Sequence, residues 1–96
     1  MQRLTESSLE TQVEELAAHF FSIDDIAVFT GINAEKLRAD IAMGEDAPIA
    51  NAYRRGKLKT QILLRFDALK YALHGSPDAS AEMRKYLTLQ NINENA

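Results

Sequence analysis

Ser22-Ile-Asp-Asp-Ile-Ala-Val-Phe-Thr-Gly31-Ile-Asn33-Ala-Glu-Lys-Leu-Arg-Ala-Asp-Ile41 reads as two short helices and the turn that joins them. Ser22 offers a hydroxyl to the free amides of a helix start, and Asp24 and Asp25 follow in the first turn, where the helix dipole favours negative charge. Ile23, Ile26, Ala27 and Phe29 supply the apolar side, and Gly31 stops the helix as a residue that enters the left-handed region without strain. Asn33 caps the next helix. Glu35 sits in its first turn, Leu37 and Ile41 lie one turn apart on its inner face, and Gly44 ends it. Two helices that cross at such a turn need a small residue at the crossing, a glycine four residues later and an apolar residue just after it. Ala27, Gly31 and Ile32 fill those places, so the stretch is predicted to be a helix-turn-helix.

Upstream, Ser7 and Glu10 have capping-box spacing. Leu9, Val13, Leu16, Ala17 and Phe20 then recur at helical intervals, with Glu10, Glu14 and Glu15 on the other side. This first helix closes the core of a three-helix head over residues 1–44. Downstream, residues 45–48 read as a linker, with Asp46 as N-cap and Pro48 in the first turn of a long helix. That helix is expected from Pro48 to His74, roughly 40 Å at 1.5 Å per residue. It carries two apolar stripes: Leu58, Ile62, Phe66 (or Arg65), Leu69 and Leu73 on one, and Ile49, Ala52, Tyr53, Gly56, Thr60 and Leu63 on the other. Gly75-Ser76-Pro77 turns the chain into a short final helix through Met83, Tyr86, Leu87 and Leu89. The fold class is therefore all-α, a helix-turn-helix head followed by an antiparallel hairpin over residues 49–90. The hairpin is expected to mediate oligomerisation, and an Asn-rich tail, residues 91–96, is expected to fray.

Bulk composition narrows the function. The sequence has 96 residues, no cysteine, two prolines and four glycines, which favours helix and leaves no thiolate for a disulfide or a metal. Nothing near Met1 resembles a signal peptide, and no apolar run approaches bilayer length, so a cytoplasmic protein without membrane contact is expected. The net charge of −3 hides an asymmetry. Residues 1–46 carry a balance of −7, because only Arg3, Lys36 and Arg38 oppose ten carboxylates, whereas residues 47–75 carry +5. Most of that positive charge lies in Tyr53-Arg54-Arg55-Gly56-Lys57-Leu58-Lys59.

Residues 9–42 resemble the homeodomain-like and sigma-factor-like helix-turn-helix families. The resemblance implies that the helix from Ala34 to Ala42 enters the DNA major groove, presenting Asn33, Lys36 and Arg38 with Ala34 and Ala39 close to bases. Lys36 and Arg38 then reach phosphates or a guanine edge. Glu35 and Asp40 cancel their charge, however, so this head alone is expected to bind weakly, since affinity rests largely on phosphate neutralisation. Arg54, Arg55, Lys57 and Lys59 are the second candidate phosphate contacts. Their alternative use is a solvated helix face or ion pairing with the acidic N-terminal half.

Tyr53-Arg54-Arg55-Gly56-Lys57, the turn at His74-Gly75-Ser76-Pro77 and Met83-Arg84-Lys85-Tyr86-Leu87 together resemble phage terminase small subunits across residues 22–89. That likeness implies a non-catalytic DNA-packaging or recognition subunit that assembles through its central helices and works with a large terminase motor subunit. Two departures are the neutral reading helix and the lack of the long C-terminal segment with which such proteins often engage the motor. A transcriptional regulator that reads an operator as a dimer, and a protein-interaction adaptor, are the alternatives. No enzyme is expected: His19 and His74 sit at helix ends where a cation is favoured, Asp24 and Asp25 do not face each other, and no cofactor or metal motif is present.

Overall fold

Three short polar side chains start the three helices of the head. Ser8 accepts from the Thr11 amide, Ser22 from the Asp25 amide and Asn33 from the Lys36 amide, each satisfying a donor that the first turn leaves orphaned. The computed structural model describes residues 3–44 and 46–94. After a 3-10 turn over Leu4–Glu6, the helices are α1 (Leu9–Ala18), α2 (Ile23–Thr30), α3 (Ala34–Met43), α4 (Pro48–Leu73) and α5 (Pro77–Glu94), and no strand occurs among the described residues. The cap of α1 is Ser8, one residue later than the Ser7–Glu10 capping box predicts. Ser7 instead presents its carbonyl to the side-chain amide of the buried Gln12, at 2.9 Å. At α4 the first helical bond runs from the Asn51 amide to the Ala47 carbonyl. Asp46 therefore does not cap the backbone as expected; its carboxylate accepts from the Asn51 side chain. Pro48 does occupy the first helical position, where its missing amide costs nothing.

The chain divides into two compact units, Met1–Thr60 and Gln61–Ala96, and α4 runs through the division. The first unit is larger than the three-helix head expected to end at residue 44, because the first half of α4 packs into it. Val13, Ala17, Ile26, Leu37 and Ala52 form its buried core, ringed by Leu16, Ile23, Ile32, Ile41, Ile49 and Tyr53. Leu9 and Phe20, expected in that core, stand about half exposed. Both lie at ends of α1.

Two contacts explain why α4 belongs to the head. Gly56 is buried against α1: a Cβ built on it collides with the Glu14 carbonyl and lies 3.1 Å from the Cβ of Ala17. The two helix backbones meet there with no side chain between them. The polar groups of α4 also finish two other helices. The Thr60 hydroxyl donates to the Ala18 carbonyl at the end of α1, and the Arg54 guanidinium donates to the Asp40 and Ile41 carbonyls near the end of α3, at 3.4 and 3.0 Å. The Ala18 carbonyl, in the last turn of α1, has no donor inside its own helix, and Thr60 supplies one. The Asp40 and Ile41 carbonyls already take the Gly44 amide and gain Arg54 as a second donor.

In the second unit, residues 61–73 of α4 and the whole of α5 form the hairpin, joined at Gly75. The Ser76 amide bonds the Tyr71 carbonyl, the Gly75 amide bonds the Ala72 carbonyl, and Gly75 takes φ +95°. This is the Schellman ending. The Ser76 hydroxyl then caps α5 by accepting from the Ala79 amide. Arg65 lies over the Tyr86 ring, 4.1 Å from its centre, which sets the two helices side by side. The Tyr86 hydroxyl donates to Glu82 at 2.9 Å, and that bond pushes its pKa above the usual phenol range. The final helix is not short. It continues through Glu94, across most of the segment expected to fray; residues 95 and 96 lie outside the described part.

Among the described residues of this unit only Ala68 and Ala79 are buried, whereas Leu63, Leu64, Phe66, Leu73 and Ile92 are all more than half exposed. The two expected stripes of α4 thus have different fates. Ala52, Tyr53, Gly56 and Thr60 of one are covered by the head, although its last member, Leu63, is 64% exposed; Leu58, Ile62, Phe66, Leu69 and Leu73 of the other are 41–77% exposed.

Candidate nucleic-acid interface

The geometry between α2 and α3 follows from local chemistry. Gly31 takes φ +80° and its amide bonds the Ala27 carbonyl at 2.9 Å, ending α2. The Thr30 hydroxyl folds back on the Ile26 carbonyl at 2.7 Å and also faces the Ile32 amide. Two residues on, Asn33 restarts the chain as a helix. Ala27, 5% exposed, is buried as expected of the small residue where α2 and α3 cross, and Leu37, 1% exposed, belongs to the core beneath α3. The predicted helix-turn-helix is present, and the outer face of α3 is exposed at Glu35, Lys36, Arg38, Ala39 and Met43.

The candidate contacts on that face are already engaged. The Asn33 side chain is spent on the cap. Lys36 pairs along the helix with Asp40 at 3.5 Å, and Arg38 crosses to Asp24 on α2. Lys36 remains 74% and Arg38 52% exposed, so both can still meet an anion, but Arg38 has a carboxylate to give up first. Adding Glu35, the face offers phosphate no net attraction.

The cationic cluster on α4 is spread over different surroundings. Arg54 reaches the C-terminal carbonyls of α3 and the Asn51 side chain. Arg55 donates to Glu14, and Lys59 lies 3.7 Å from Glu14 and 3.8 Å from Glu15 on α1. Lys57 sits over the Tyr53 ring, 5.5 Å from its centre. The hydrogen bond from Arg55, helped by the charge of Lys59, holds the Glu14 carboxyl below its ordinary pKa of 4.5 against the opposing effect of burial. The seven predicted residues therefore do not converge on one surface. Asn33, Lys36 and Arg38 occupy α3, Arg54 sits at its C-terminal end, and Arg55 and Lys59 face α1.

The charge pattern predicts ion pairing with the acidic half as one use of the cluster, but not which acids. In the sequence Glu14 and Glu15 mark only the polar side of α1. Their partners become visible once Gly56 and Ala17 are recognised as the crossing point, since Arg55 and Lys59 flank that glycine. His19 ends α1, its ring nitrogen 2.7 Å from the Glu15 carbonyl, as its position at a helix end predicts. No helix among the described residues is long and apolar enough to cross a membrane. Set against known protein families, curated proteins and solved structures, the chain matches none of them.

Proposed function

We propose that the chain is a non-enzymatic helix-turn-helix protein that associates with duplex DNA as a multimer. Under this reading it is a small-terminase-like packaging or recognition subunit. Its partners are duplex DNA, further copies of itself and a large motor subunit. The observation that carries the reading is the α2–Gly31–α3 geometry, with a capped helix whose outer face is open and whose inner face is fixed by Ala27 and Leu37.

Multimerisation is required by the weakness of one head. The charged groups of α3 cancel, so a single copy gains little from phosphate neutralisation, and several heads on one duplex multiply a small affinity. The unit Gln61–Ala96 supports the same conclusion from packing. It is shorter than the about 40 residues below which a fold usually needs outside help, and it leaves Leu63, Leu64, Phe66 and Leu73 to water. Further copies would cover them.

Gel-shift titration of a mixed-sequence duplex across salt tests the DNA role. Binding that is measurable at about 50 mM salt and falls steeply by about 200 mM is the expected result; no binding at the lower salt overturns it. Light scattering on the free protein tests the assembly. A closed species larger than a dimer is expected, and a stable dimer favours an operator-binding regulator instead.

A further inference from the structure

We infer that Glu14 and Glu15 act as a built-in rival to DNA phosphate for the cationic edge of α4, holding the chain's affinity for duplex down from within the head. The inference rests on the DNA role proposed above. Arg55 and Lys59 are one turn apart and so share an edge of α4. Both turn to α1, where Arg55 donates to Oε1 of Glu14 and the Lys59 ammonium lies 3.7 Å from Oε2 of the same carboxylate. Glu15 adds a second anion, 3.8 Å from Lys59.

The exposure is lopsided in a way that matters. The side chains of Arg55 and Lys59 are 56% and 53% exposed, while that of Glu14 is 20% exposed. The cations thus keep an outer surface toward solvent, with Glu14 underneath and Glu15, 44% exposed, beside them. An approaching phosphate meets two accessible donors whose charge is already compensated. The Lys59 contacts are also longer than a hydrogen bond, so an incoming anion displaces them readily.

These ion pairs are not what joins α1 to α4. The backbone contact at Gly56, the buried side chains of Ala17 and Ala52, and the bond from Thr60 to the Ala18 carbonyl do that without any charge. The carboxylates are therefore free to serve another end, and their position opposite the cationic edge defines it. With both acids neutralised, this edge changes from two cations against two anions to two cations alone.

The test is a duplex titration of the full chain at several salt concentrations, comparing wild type with Glu14→Gln, Glu15→Gln and the double variant. The double variant is expected to bind about threefold to tenfold tighter at low salt, the range that two partly exposed ion pairs allow. Its plot of log affinity against log salt is expected to steepen by about 1 to 2, one phosphate contact for each cation released. Adding Arg55→Gln and Lys59→Gln to the double variant should abolish both gains. Should Glu14→Gln fail to fold by thermal unfolding, Glu15→Gln alone carries the test, with an expected gain of about twofold to threefold. Wild-type binding with variants of unchanged affinity and slope overturns the inference and leaves the DNA role standing. A lowered melting temperature with an unchanged slope does the same, since it marks a purely structural clasp. No binding by wild type or any variant at low salt overturns the DNA role and the inference with it.

Discussion

One helix, α4, lives in two environments. From Pro48 to Thr60 it is built into the head: Ala50 and Ala52 are fully buried, Gly56 meets a neighbouring backbone, and Arg54 and Thr60 complete the ends of other helices. From Gln61 onward the same helix carries larger apolar residues and buries fewer of them; Phe66 is 66% and Leu73 77% exposed. The difference teaches that side-chain size, not hydrophobicity, decides which half is covered. Small residues let helices approach until polar groups reach across, whereas the bulky stripe exceeds what a two-helix hairpin can enclose.

The largest effect that separates the halves comes from truncating a core side chain. Ile26→Ala should cost about 3 kcal/mol, the range for emptying a fully buried aliphatic site. Phe66→Ala should leave the stability of a dilute sample within about 0.5 kcal/mol, with a cost that grows with protein concentration if copies cover that residue. Urea unfolding at two protein concentrations checks both. Gly56→Val comes next. It places two methyl groups and a Cβ where the Glu14 carbonyl stands, so about 2 kcal/mol of overpacking is expected, read as a lowered urea midpoint.

A smaller effect of opposite sign is expected at the end of α1. Phe20 takes φ +60°, its amide bonds the Ala17 carbonyl, and the Phe21 amide bonds the Leu16 carbonyl. This is the same Schellman ending that Gly75 makes without strain in the hairpin. Left-handed backbone costs an L-residue roughly 1–2 kcal/mol, and the half-exposed ring recovers part of it, so Phe20→Gly should raise stability by about 0.5–1 kcal/mol in thermal unfolding.

The smallest effect belongs to the ion pairs. The folded-state pKa of Glu14 lies below its ordinary 4.5, so its contribution is fully present above that value and is lost as pH falls through the folded pKa. Glu14→Gln should therefore lower the urea midpoint slightly at pH 7 and hardly at all near pH 3.

What the sequence made legible was local. Ser22, Gly31, Asn33 and Gly44 act on amides and carbonyls within a few residues, and each lies where such chemistry puts it. The capping-box spacing points to Ser7 before α1, but Ser8 is the cap, and the Ser7 carbonyl instead accepts from the buried Gln12 side chain. Phe20 was illegible as a helix end because the rule expects glycine or asparagine there. The fates of Arg54, Arg55 and Lys59 were illegible for a deeper reason. A basic run has the same composition whether it faces phosphate, water or a neighbouring helix, and only the crossing at Gly56 decides among them.

That crossing also bears on how the protein can diverge. Where backbone lies on backbone, no side-chain volume is available to trade, so a lineage descended from this sequence has a single residue type open to it at position 56. Ala17 and Ala52, whose side chains are fully buried, are nearly as confined. The charges around them have no such restriction, because a pair such as Glu14 and Arg55 can drift together or vanish. Distant kin should thus be recognisable by the spacing of these three small residues long after the cationic run has changed beyond recognition.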